Sequence, residues 1–239
     1  MSAQVFSIEF IILSSIQTVT VMFSFITFIS GLKRYFNTNQ SEIFLRKGLK
    51  YFSFILLTIA IAGIFAIIVN FFFIFTSNGI ISGYLYCIIT TSVFINTFCA
   101  WQFLNYLIHP KRRNTKYIIG ICCTIGIIII WFYPGIMTNV FHSPFVEKRF
   151  IYLYLVCLYF FVYGFFAFEF FKHSYFSSDK KEKYRFFCLG MSALFSILMF
   201  LGFFLGLFYT WIIILNSTVL LYLGYNFPKF FQRALKIQD

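Results

Sequence analysis

Charge is what this sequence has least of. Of its 239 residues, 11% are Asp, Glu, Lys or Arg, while 61% are hydrophobic. A water-soluble domain carries about a quarter charged residues. Too few ionic side chains exist here to coat a soluble globule of this length, so lipid must be the solvent for most of the surface. Residues 51–110 and 186–228 contain no charge at all.

Reactive chemistry is equally sparse. No H-E-x-x-H, G-x-S-x-G or P-loop pattern occurs, and no intramembrane protease pair, so nothing marks the chain as an enzyme. No Lys lies in the core of an apolar run, which argues against a retinal Schiff base. His109 and His173 sit at the ends of apolar runs and His142 in a loop, leaving no mid-depth axial ligands for haem. No cofactor is expected. The six cysteines, Cys87, Cys99, Cys122, Cys123, Cys157 and Cys188, all fall inside apolar runs without C-x-x-C spacing. They form neither a disulfide framework nor a zinc site, and are expected to behave as small hydrophobes.

What is present is apolar length. A hydrocarbon core of about 30 Å needs about 20 helical residues. Uncharged stretches give spans at 10–32, 51–75, 83–108, 117–139 and 150–171. Thr76-Ser77-Asn78-Gly79 reads as the turn between the second and third. Residues 186–228 are long enough for two further helices, with a turn near Gly202 to Thr210. The first eight residues hold no Lys or Arg, so the first span reads as a retained helix rather than a signal peptide. The 39 phenylalanines are expected as lipid-facing bulk, with an aromatic-lined ligand cavity as the alternative.

The cations give an orientation. With seven helices and the N-terminus outside, 17 of the 19 Lys and Arg residues fall in cytoplasmic segments, and only Lys148 and Arg149 fall outside. That is the bias of the positive-inside rule. The expected architecture is an all-α, multi-pass cell-membrane protein: a seven-helix bundle over 1–228 and a short amphipathic cytoplasmic tail over 229–239. The net charge of +12 then serves topology and attraction to anionic lipid headgroups, not nucleic-acid binding.

Neutral polar side chains are the remaining candidates for function. Gln17, Asn70, Ser92, Asn96 and Asn216 lie within predicted spans, and Ser92, Asn96 and Cys99 share one helical face. Lipid offers an amide no partner, so all are expected to face the bundle. There they either join neighbouring helices or line a site for a small neutral or apolar ligand. Glu169, three residues before Lys172, reads as an interfacial ion pair, with a proton or cation site as the alternative.

Two helix exits look alike: Asn105-Tyr106-Leu107-Ile108-His109-Pro110-Lys111 and Gly224-Tyr225-Asn226-Phe227-Pro228-Lys229. Parallel repeats in transporters would bring such ends into register. Proline should stop the seventh helix at Phe227. Beyond it, Phe227, Phe230, Phe231, Ala234 and Leu235 keep helical spacing with cations between them, as in a short interfacial helix. The junction Tyr222-Leu223-Gly224-Tyr225-Asn226-Phe227-Pro228-Lys229-Phe230-Phe231 resembles the exit of seven-helix input domains in bacterial and archaeal signalling proteins. That resemblance implies a sensory module passing ligand state through helix 7 to a cytoplasmic signalling protein. The chain stops at Asp239 without an output domain, which departs from the pattern and calls for a separate reader or a longer chain. A small multi-pass transporter is the alternative expectation.

Overall fold

The computed structural model describes residues 8–39, 41–75, 79–108, 114–132, 149–205, 207–235 and 237. Among these residues every regular element is a helix. In chain order they are α1 (Ile8–Asn37), α2 (Ile43–Phe75), α3 (Gly79–Leu107), α4 (Asn114–Phe132), α5 (Arg149–Phe176), α6 (Lys180–Leu205), α7 (Leu207–Asn226) and α8 (Lys229–Ala234). Four contain stretches long and apolar enough to cross a membrane: Phe10–Asn37, Ile43–Asn70, Gly83–Leu107 and Leu153–Phe176. The apolar part of α4 is shorter, Tyr117–Phe132.

The breaks fall where turn chemistry placed them. α2 stops at Phe75 and α3 starts at Gly79. The uncharged stretch 186–228 divides between Leu205 and Leu207, inside the expected window. The helices themselves overrun the apolar runs. α2 starts eight residues before the predicted span and carries Arg46, Lys47 and Lys50 within it. α5 continues to Phe176, and α6 opens with charged residues from Lys180. Hydropathy marks the part of a helix that lipid can accept; the backbone ladder continues past it. Residues 133–139, the predicted end of the fourth span, lie outside the described residues.

The chain divides into two compact units, Met1–Leu158 and Tyr159–Asp239, with the boundary inside α5. In the first unit α2 packs along both α1 and α3, and α3 packs on α4. Close crossings explain the fit: a Cβ on Gly31 of α1 would lie 2.5 Å from the Ser53 hydroxyl of α2. Phe52, Leu56, Phe94, Phe103 and Leu104 are fully buried, with the Phe52 and Phe103 rings 5.7 Å apart. Part of the phenylalanine is therefore core, not lipid-facing bulk as expected. Phe36, Phe132, Phe161 and Phe168 do face outward.

In the second unit α6 and α7 form an antiparallel hairpin. The α5 segment joins it through aromatic rings: Phe170 to Phe186 at 5.8 Å and Phe171 to Phe187 at 5.9 Å. α7 ends at Asn226. Phe227 takes a left-handed backbone with φ of 42°, and Pro228 is extended at φ −67°, ψ 152° before α8 begins. The proline ring disfavours a right-handed helical residue before it, so Phe227 leaves the helix as the sequence predicts. Phe227 is nonetheless buried, with Phe231 edge-on at 5.5 Å.

Candidate functional site

In the first unit the amide residues join neighbouring helices. Gln17 of α1 is 1% exposed, and its Oε1 accepts from Asn70 Nδ2 of α2 at 3.1 Å. One pair of amides thus links the two helices. Asn96 of α3 donates from Nδ2 to the Ile55 carbonyl at 3.0 Å and to Thr58 Oγ1 at 2.9 Å, both on α2. An amide nitrogen has two N–H donors, so both are engaged in holding α3 to α2. Ser92, Asn96 and Cys99 are all buried, as their shared face predicts. Ser92 turns back onto its own helix and donates to the Ile88 carbonyl at 2.9 Å.

Asn216 departs from the expectation that it faces the bundle. It is exposed, and its Nδ2 donates to the Ile212 carbonyl one turn earlier at 2.9 Å. That local bond gives one amide N–H a partner without a neighbouring helix, so the burial argument loses force for this residue. The apolar residues of α7 do not keep to one face, and Ser217 and Thr218 beside Asn216 are the ones buried.

Back-bonding is frequent. Thr20, Thr27, Thr90, Thr97 and Thr218 each donate to the carbonyl four residues before, at 2.8–2.9 Å. Such hydroxyls need no interhelical partner. Two tryptophans do link α3 to α4: Trp101 Nε1 donates to the Thr115 carbonyl and Trp131 Nε1 to Thr91 Oγ1, each at 3.0 Å.

The second unit holds two arrangements that sequence reasoning missed. The first is a hydroxyl cluster between α6 and α7. Ser192 donates to the Ser217 carbonyl at 2.8 Å, and Ser217 donates to the Ser192 carbonyl at 2.9 Å. The Ser196 hydroxyl lies 2.8 Å from that of Ser217. The signal was available: Ser192 and Ser196 have the small-x-x-x-small spacing that lets membrane helices approach.

The second arrangement is at the exit of α7. The last carbonyls of a helix have no partner in the helix itself. Here Arg185, near the start of α6, supplies one: Nε donates to the Gly224 carbonyl and a terminal nitrogen to the Tyr225 carbonyl, both at 3.3 Å. A cation at a helix C-terminus also complements the macrodipole. Gly224 lets α6 come close, since a Cβ there would lie 2.8 Å from Leu189 Cγ and 2.9 Å from the Arg185 carbonyl oxygen. Gln232 of α8 donates to the Phe227 carbonyl at 2.8 Å, tying the short helix back to the corner. No sequence periodicity links Arg185 to residues 39 and 40 positions away.

Glu169 is buried and Lys172 is exposed. Among the described residues no group of three or more His, Cys, Asp or Glu could hold a metal ion. Compared with protein-family models, curated proteins and solved structures, the chain matches none of them.

Proposed function

We propose that this chain is a seven-helix membrane sensor, with its N-terminus outside and C-terminus in the cytoplasm. It binds a small neutral or apolar ligand and signals through α7 to a cytoplasmic protein. The observation that carries this reading is the corner at residues 224–228. α7 does not fray into a tail. Its terminal carbonyls are held by Arg185, its axis breaks at Phe227–Pro228, and α8 is bonded to the break. A displacement of α7 against α6 has to strain or release these bonds, which couples helix position to the orientation of α8. The scarcity of ionic side chains along the apolar helices supports sensing over the transport of charged solutes.

The ligand-facing residues in this reading are Gln17, Asn70, Ser92 and Asn96 in the first unit. Gln17 bonds Asn70, and Asn96 bonds Ile55 and Thr58; a ligand amide or hydroxyl that replaces one of these interhelical bonds would shift the helices that it joined.

Orientation is tested by C-terminal reporters. Fusions after Lys50, Lys116, Lys181 and Asp239 should report cytoplasm, and an insertion near Ser143 should report the outside. A cytoplasmic signal at Ser143 overturns the orientation. Signalling is tested by deleting residues 229–239. Binding of a ligand found by thermal-shift screening in detergent should survive, while signalling to the partner should be lost at matched membrane abundance. Solute flux in proteoliposomes that survives the deletion unchanged would replace the sensor reading with a transporter.

A further inference from the structure

The end of the first unit where α1 stops, α2 starts and α3 stops is dense in cations. Between residues 33 and 50 there are five, Lys33, Arg34, Arg46, Lys47 and Lys50, against a single acid, Glu42. Two of them are positioned by aromatic rings. The Arg46 guanidinium carbon lies over the Tyr35 ring of α1, 4.7 Å from its centroid. The Lys47 ammonium lies 5.6 Å from the centroid of Tyr106 on α3. Tyr106 is itself stacked on Tyr51 of α2, with centroids 5.6 Å apart and planes 8° from parallel. Three helices therefore fix two cations at one end of the bundle.

Arg46 is only half-buried, but its Nε is buried and has no hydrogen-bond partner among the described residues. All five guanidinium N–H bonds lie in its plane, in a fork that fits two oxygens of one phosphate. A ring face holds such a group without using its donors. With Nε enclosed, the terminal guanidinium nitrogens are the donors left for an outside phosphate, Lys50 stands one turn along the same face of α2, and apolar helix surface leads away from both.

We propose that Arg46, with Lys47 and Lys50, forms a binding site for the phosphate of an anionic membrane lipid at the inner ends of α1–α3. The shared chemistry is a phosphate oxyanion. The lipid is favoured over a soluble phosphate because exposed apolar side chains continue from the basic group toward the middle of the helices, with Ile26 63% and Ile29 52% exposed on α1 and Phe54 37% exposed on α2. Acyl chains would cover these while the headgroup meets the cations. The site rests on the membrane placement of α1–α3 and is independent of any sensing role.

The full chain is reconstituted in nanodiscs of phosphatidylcholine carrying a minor fraction of phosphatidylglycerol, and retained lipid is read by native mass spectrometry after release. Phosphatidylglycerol should be retained selectively over phosphatidylcholine. Arg46→Gln should weaken that selectivity about five- to ten-fold, from the loss of one surface cation and its forked hydrogen bonds. Arg46→Lys keeps the charge without the fork, so it should fold and fall between the two. Lys180→Gln, at an exposed cation in the second unit, should leave selectivity unchanged. Equal losses for Arg46→Gln and Lys180→Gln would reduce the effect to diffuse attraction and overturn the site. Displacement of phosphatidylglycerol by saturating inorganic phosphate would assign it to a soluble anion and overturn the lipid. Failure of the chain to enter nanodiscs at all would instead remove the membrane placement on which the site depends.

Discussion

Gly224→Leu is expected to abolish the α6–α7 hairpin, and Gly224→Ala to weaken it by about 1–3 kcal/mol, the usual cost of overpacking. A Cβ at this position meets Leu189 Cγ at 2.8 Å, the Arg185 carbonyl oxygen at 2.9 Å and the Leu189 amide nitrogen at 3.0 Å. Two of those three atoms are backbone, so no rotamer change relieves them; the helices must separate. Separation also lengthens the 3.3 Å bonds from Arg185 to the Gly224 and Tyr225 carbonyls. The stabilisation that Gly→Ala brings in soluble proteins comes from restricting the unfolded chain. In a membrane the unfolded state keeps its helices, so little of that offset survives. Thermal unfolding in detergent with a thiol-reactive dye checks the prediction, because Cys188, next to Leu189, is buried until the hairpin opens. Gly164→Ala is the matched control. Nothing lies within 4 Å of a Cβ there, and its effect should stay within about 0.5 kcal/mol. An unchanged transition for both Gly224 variants would show that the close approach does not exist.

Asn96→Asp is expected to cost about 3 kcal/mol, and Asn96→Leu about 1 kcal/mol. The two substitutions separate charge from hydrogen bonding. Leu removes both N–H bonds to α2 but leaves no new polar group; single interhelical hydrogen bonds in membranes are worth about 0.6 kcal/mol on average and up to about 1.7. The Ile55 carbonyl retains a bond from Thr58 Oγ1 at 2.8 Å, so it is not orphaned. Asp removes the same donors and brings an acid to a buried, apolar depth, where insertion measurements place the penalty near 2.5–3.5 kcal/mol. Cys99, three residues on and buried, reports the transition through the same dye. Phe132→Leu, at a residue 78% exposed, should leave it unchanged. Equal effects of the Leu and Asp variants would mean that Asn96 does not sit in an apolar interior.

The sequence was most legible where a single physical requirement acted alone. Apolar length located the helices, because only about 20 uncharged residues satisfy hydrocarbon. Pro228 located the end of α7, because its ring restricts the residue before it. The division of residues 186–228 followed from length and from the cation bias together. Legibility failed where a second solution existed. Asn216 was expected inside because an amide needs a partner, but the Ile212 carbonyl serves within the helix. Phenylalanine satisfies both lipid and core, so composition could not assign Phe52 or Phe94 to the interior. The Arg185 cap depends on two helices meeting head to tail, a fact of packing that no local spacing encodes. Of the amide group, Gln17, Asn70 and Asn96 have their interhelical bonds, and those bonds were foreseeable only as a class, not as pairs.

The back-bonded hydroxyls have a mechanical consequence. Each carbonyl that accepts from a Thr or Ser four residues later is shared with the helix's own N–H, which loosens that bond and favours bending. In α3 the shared carbonyls are those of Tyr86, Ile88 and Val93, clustered within about two turns. Those turns make α3 more elastic than an aliphatic helix of equal length. The Asn96 amide, clamped to α2, sits within the same section. The turns that bend most readily thus lie beside the point where α3 is held to α2, so a change in that hold would be expressed as curvature of α3 rather than as sliding.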